Sequence, residues 1–220
     1  MLYPFELEVE ATLRSDLHVA GVGRTVALID RCIERDAQGR ALIPATSFKG
    51  RTRAHYERLL RALGDDLNNC KPPNPATMCN DPANLCPVCQ LFGSPMQQGR
   101  IEFTDLVPDT TPDTNTEPTT RIGVGINRKL NTVAEGRLFF YEAAPAQLNR
   151  FRGQIRGWAT ETEIALLLGA LKLITHFGGQ KARGLGRAEV KPTALHIRKN
   201  GAWAAVDPAQ MLTHLQEVRR

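Results

Sequence analysis

Apolar and polar residues alternate over positions 5–13. Phe5, Leu7, Val9, Ala11 and Leu13 fall on one side and Glu6, Glu8, Glu10 and Thr12 on the other. A period of two marks a strand with one buried face. Residues 100–106 alternate again, residues 137–141 form a short apolar run, and residues 184–197 supply a last strand. A hairpin is expected with arms at 26–34 and 40–44 and a turn at 36–39, where Asp36 is a turn residue beside Gly39. Helical spacing appears twice. Tyr56, Leu59, Leu60 and Leu63 form one stripe, with Ser47 as the expected N-cap and Gly64 as the stop. Ile164, Leu167, Leu168, Leu171 and Ile174 form another, over 161–175. Thr160 and Glu163 make a capping box at its start, and Gly178 and Gly179 end it.

In chain order these elements read β-α-β-β-α-β, the split βαβ arrangement of a ferredoxin-like α+β fold. The chain has 220 residues, a length that suits one domain, 1–220, with insertions at 65–95 and 107–136. No apolar run reaches membrane-spanning length. The first ten residues are acidic and alternating rather than basic and then apolar, unlike a signal peptide, so a cytoplasmic location is expected.

The formal net charge of +5 is modest; its placement says more. Arg24, Lys49, Arg51, Arg100, Arg128, Lys129, Lys181, Arg183 and Arg187 recur near glycines. Cations beside bare backbone N–H groups suit phosphate, although a solvated basic surface has the same composition. The helix start at Ser47, with Lys49, Arg51 and Arg53 behind it, points its dipole at an anion. Gly178, Gly179, Gly184 and Gly186 allow close backbone approach around Lys181 and Arg183. These glycines follow a helix, whereas those of a nucleotide-binding glycine loop follow a strand.

Cys70, Cys79, Cys86 and Cys89 are spaced C-x8-C-x6-C-x2-C inside the loop 65–95. Four thiolates close a tetrahedral zinc shell, and a metal would order a loop that has no core of its own. Two alternatives stay open: a redox pair at Cys86 and Cys89, and three cysteines completed by a histidine such as His55. Cys32 lies outside the cluster and reads as a packing residue.

Three stretches carry a resemblance. Residues 42–53, LIPATSFKGRTR, resemble the "IPGSSLKGxxR" segment of the RAMP superfamily of CRISPR-associated proteins. Residues 86–93, CPVCQLFG, are similar to an element of type III backbone subunits. Residues 177–186, FGGQKARGLG, look like the glycine-rich RAMP signature. The order and spacing fit, and the Csm-type backbone subunit is the most similar. The resemblance implies an RRM-like core, structural zinc in the cysteine insertion, and a β-hairpin thumb over 121–134 with Arg128 and Lys129 near its tip. It implies as partners crRNA, complementary target RNA, other copies of the chain and other type III effector subunits.

The implied activity is metal-dependent endoribonuclease cleavage of target RNA. Asp30, at the position of the family's aspartate, would work with Mg²⁺ or another divalent ion, and a 2′-hydroxyl would attack the adjacent phosphate. An aspartate merely paired with Arg31 or Arg24 is the plain alternative. His18 reads as an RNA-stacking or structural residue, or as an assisting general acid. The sequence departs from the family at Ala45, where glycine is usual, at Arg31 and Cys32, which replace a small residue and proline, and in the long Pro/Thr/Asp-rich run 107–118. A non-catalytic crRNA-binding assembly subunit and a standalone guide-processing ribonuclease remain as alternatives; the zinc insertion and the thumb weigh against the latter.

Overall fold

The structure is a computed structural model that describes residues 1–21, 28–67, 70–109 and 117–217. Arg24, the arm residues 26–27 and positions 110–116 of the Pro/Thr/Asp-rich run lie outside the described residues.

The strands are β1 (Tyr3–Leu13), β2 (Gly93–Ser94), β3 (Gln97–Gln98), β4 (Ile101–Phe103), β5 (Val107–Pro108), β6 (Thr119–Asn127), β7 (Thr132–Ala143), β8 (Arg150–Ala159), β9 (Ala188–Lys199) and β10 (Ala202–Val206). The helices are α1 (Ala45–Ala62), α2 (Pro87–Phe92), α3 (Glu161–Lys172) and α4 (Pro208–Glu217). The main sheet runs β10-β9-β1-β8-β4, with β5 also paired to β8. β1 is central and antiparallel to both neighbours, Leu7 facing Ile155 on β8 and Leu195 on β9.

The period-two pattern of β1 is realised as written. Phe5, Leu7, Val9, Ala11 and Leu13 are buried, while Glu6 and Glu8 are exposed. Their buried face joins one core with Phe48, Tyr56 and Leu60 of α1 and Ile164, Leu167, Leu168 and Leu171 of α3. α1 packs on α3, and α4 on α3. The Thr160–Glu163 capping box forms in both directions.

The third core strand is not at 137–141. That run belongs to β7, which pairs with β6 in a separate ribbon, and the core position is filled by β8. The inward side of β8 holds Phe151, Gly153, Ile155, Gly157 and Ala159. Two glycines among five inward positions flatten the hydrophobic alternation that would have marked it. They are there because chain crosses close by. A Cβ on Gly157 would stand 2.1 Å from the Arg100 carbonyl oxygen, and one on Gly153 would stand 2.7 Å from that of Asp105.

α1 starts two residues before Ser47. Its N-cap is Pro44, with no side-chain cap from its own residues. Asp105 supplies the cap instead: its Oδ1 accepts the Ala45 N–H at 2.7 Å. The turn at 36–39 forms as expected. Asp36 Oδ1 accepts N–H groups of Gln38 and Arg40 at 3.0 and 2.8 Å, and its Oδ2 pairs with Arg40 Nε at 2.7 Å.

Candidate metal centre and nucleic-acid interface

The cysteine loop folds back onto α1. Cys89 rides on α2, Cys86 is the N-cap of that helix, and Cys70 and Cys79 come from the preceding loop. All four are buried, and their sulfurs lie within 4.8 Å of one another. Cys70 Sγ and Cys89 Sγ are 3.6 Å apart. A tetrahedral ion with metal–sulfur bonds of about 2.3 Å separates its sulfurs by about 3.8 Å, so the spacing fits a metal such as zinc. All four cysteines are free of disulfide bonds. His55 is not part of the cluster.

Burial works against charge on these thiols. Burial pushes the Cys70 thiol up to about 11 and raises that of Cys86 as well. Burial also opposes ionisation of Cys79, but hydrogen bonds from the Cys86 backbone and the neighbouring thiols bring it below the ordinary thiol range. Buried thiolates in this number need a cation.

A second site lies at the start of α1. Ser47, Gly50, Arg51, Phe177 and Gly178 line a cleft of about 440 Å³. The glycine loop closes one side and needs its glycines: Gly178 has φ +70° and Gly186 φ +75°. A Cβ on Gly178 would meet the His18 carbonyl oxygen at 2.1 Å, and one on Gly186 that of Phe177 at 1.9 Å. Phe48 of α1 packs edge-on against Phe177, so the helix start and the loop share one wall.

Arg51, the cation that lines this cleft, belongs to a group of basic side chains that act on one another. The lowered proton affinity of His55 comes first from burial and then from Arg58, Arg51 and Lys181. Lys181 is lowered by burial, Arg51 and Arg58. Arg51 is lowered by burial and Arg58. The charges acting on these groups are all positive, the environment a phosphate chain relieves. Arg51, His55 and Arg58 stand at i, i+4 and i+7, a basic stripe on one helix face. Arg58 goes unnoticed in the sequence because no glycine flanks it.

The other expected contacts divide. Lys49 and Arg53 turn away from the cleft. Lys49 faces Gln98, Gly99 and Glu102, and Arg53 bonds Cys89 Sγ and the Gly93 carbonyl. Arg100 is engaged by Glu163 and by the Gln90 carbonyl. His18 is 2% exposed; its Nδ1 lies 2.6 Å from the Glu142 carbonyl oxygen and its ring meets Tyr141 edge-on. That burial and those contacts fit the structural reading of His18. Gly179 backs onto it, its N–H donating to the His18 carbonyl at 2.8 Å. Arg183 ends the tight turn Lys181–Arg183 and Gly184 caps it, with the Arg183 guanidinium 5.4 Å from the centre of the Phe139 ring. It thus links the glycine loop to the base of the ribbon.

The ribbon β6–β7 is longer than the hairpin expected at 121–134. Arg128 and Lys129 lie in its tip, where Asn127 Oδ1 accepts the Lys129 N–H at 3.0 Å. Ile122, Val124, Ile126, Leu130, Val133 and Leu138 are exposed along it. Its base is tied by the Arg121–Asp16 ion pair and by Asp30. Asp30 is exposed; its Oδ2 accepts the Phe140 N–H at 2.7 Å. Among the described residues the four cysteines form a group of at least three side chains able to hold a metal, and Asp30 is not in it.

A cationic cleft between a helix start and a glycine loop, with a cysteine centre behind it, agrees with the family comparison, which matches the RAMP superfamily over residues 10–189. The chain belongs to the RAMP superfamily. No curated protein matches it. RAMP proteins are associated with CRISPR–Cas RNA binding, and some of them cleave RNA. The matched span takes in the cleft, the cysteine centre and the ribbon. Among the described residues no helix is long and apolar enough to cross a membrane.

Proposed function

We propose that the chain is a crRNA-binding backbone subunit of a type III CRISPR effector complex, with the guide's phosphates held at the cleft of Ser47, Arg51 and Gly178 and by Lys181, on which Arg51 acts electrostatically. The observation that carries this reading is the set of mutually repelling cations at a glycine-lined cleft. A polyanion with regularly spaced charge relieves that repulsion along its length, whereas a small ligand relieves it once. His55 and Arg58 join the interface. Arg128 and Lys129 at the ribbon tip fit a second contact, where exposed apolar side chains beside cations suit a paired guide and target. Several copies along one guide, a ferredoxin-like core and zinc on the four cysteines belong to the same reading. The core strand order β9-β1-β8-β4 supports it.

Cleavage of paired target RNA at Asp30 with a divalent ion completes the proposal. Asp30 is exposed at the base of the ribbon, where extruded nucleotides would lie. A second reading, binding and assembly without chemistry, draws on the Phe140 N–H bond, which already employs one carboxylate oxygen.

The test of the main reading is retention of RNA. The full chain, expressed with its neighbouring subunits and a guide, is expected to carry bound single-stranded RNA through purification and to lose it when Arg51 and Lys181 are both changed to alanine. Purified chain and complex free of RNA, with no affinity for an oligouridylate, would sink the proposal.

A further inference from the structure

α1 serves two sites at once. Arg51 lines the cleft, while Arg53, two positions on, reaches the cysteine centre from another side of the helix. Its Nη2 donates to Cys89 Sγ at 3.2 Å and its Nη1 to the Gly93 carbonyl oxygen at 2.8 Å. Gly93 caps the C-terminal end of α2, the helix that carries Cys89. One guanidinium therefore holds α2 at a ligand and at its end. The third nitrogen, Nε, is buried with no hydrogen-bond partner. Burial of an unsatisfied donor on a permanently charged group is unfavourable, so something in that pocket must offset it. Four cysteines holding a divalent ion would do so. A divalent ion with four thiolates carries two excess negative charges, and Cys89 is fully buried, out of reach of screening by water.

We propose that Arg53 is the outer-sphere cation of this metal–thiolate centre. It is a positioning residue: it donates to the metal-bound sulfur of Cys89, offsets one excess negative charge and fastens the metal loop to the helix that forms the cleft. The inference rests on the reading of the four cysteines as a zinc site. An N–H bond to a thiolate lowers its basicity, which slows protonation and loss of the metal. Outer partners of this kind commonly alter metal retention by about ten- to a hundredfold. Lys49, one turn earlier, cannot take over. It faces Glu102, and it lacks the fork that reaches sulfur and carbonyl together.

The test uses the full-length zinc-loaded chain. Arg53→Met keeps the volume of the side chain and removes its charge and donors; Arg53→Lys keeps the charge. Zinc release to excess chelator is expected to be about ten- to a hundredfold faster in Arg53→Met, with Arg53→Lys between it and the wild type. A packing role alone could loosen the loop, so a second readout is needed. In cobalt-substituted protein the sulfur-to-cobalt charge-transfer band is expected to move to lower energy in Arg53→Met, because the sulfur lone pair loses its hydrogen bond. Absence of zinc from the wild type would overturn both the metal reading and this inference. Zinc held by the wild type, with release rate and band unchanged in Arg53→Met, overturns this inference alone.

Discussion

Asp30 and Phe140 clasp each other. Asp30 Oδ2 accepts the Phe140 N–H at 2.7 Å, and the Asp30 N–H donates to the Phe140 carbonyl at 3.0 Å. The contact joins a loop of the core to β7 and fixes where the ribbon leaves it. It also makes the usual alanine test ambiguous, because Asp30→Ala removes charge and clasp together. Asp30→Asn keeps an oxygen acceptor and loses only the charge. If the carboxylate serves cleavage, both variants should lower the rate of cutting complementary RNA in Mg²⁺ by at least about a hundredfold while RNA binding holds. Cleavage retained by Asp30→Asn and lost by Asp30→Ala would assign the residue to the clasp. Cleavage retained by both would remove it from the chemistry.

The cysteine centre predicts a pH dependence. Metal-free Cys70 and Cys86 have raised proton affinities, Cys70 to about 11, and so remain protonated through neutral pH. Binding a divalent ion to all four sulfurs must expel at least those two protons. Affinity should fall as pH falls, by about tenfold per pH unit for each proton, and so by at least about a hundredfold. Competition titrations with a zinc indicator between about pH 6.5 and 8 measure this slope. Metal analysis should find about one zinc per chain, and Cys86→Ser should hold less.

What could be read from the chain and what could not follow a physical line. β1, the capping box of α3 and the four cysteines were legible because each is written in near neighbours: alternation, an i, i+3 pair, a short spacing. β8 was hidden because Gly153 and Gly157 stand where apolar residues would have completed its pattern, and their reason lies in the chain crossing at Arg100 and Asp105. The aromatic run of β7 looked like core, yet only Tyr141 and Ala143 are buried, in a small cluster with Leu185. Arg53 and Arg51 looked equivalent two residues apart on one helix. Which of them meets sulfur and which meets the cleft depends on where the cysteine loop docks, and that is a property of the folded chain.

RNA affinity should be strongly salt-dependent. Each phosphate left without its cation lowers the slope of log affinity against log salt by about 0.7 for a single strand. Arg51→Ala with Lys181→Ala should therefore reduce the slope by about 1.4 without changing preference among sequences. Arg53→Ala should leave the slope unchanged, since its guanidinium is spent on Cys89 and Gly93. A slope change in Arg53→Ala equal to that of Arg51→Ala would contradict the division of the helix into two faces.

His55 makes the cleft sensitive to mild acid. Burial and then Arg58, Arg51 and Lys181 hold its proton affinity below the ordinary value of 6.5. For stability the sign is fixed: the unfolded chain takes up the proton first. The stability linked to this group is therefore fully present above 6.5 and is lost as pH falls through the lower folded value. For binding the sign reverses. Phosphate neutralises the three surrounding cations and raises the proton affinity of His55, so the bound state takes up protons that the free state does not. Oligouridylate affinity should strengthen as pH is lowered from about 7.5 to 6, by up to about tenfold for each unit that the bound value rises above the free one. His55→Gln should flatten that dependence while leaving affinity at pH 7.5 within about twofold. Isothermal titration in buffers of different ionisation enthalpy would count the protons directly. No uptake on binding would place the phosphates away from His55 and shift the cleft toward Lys181.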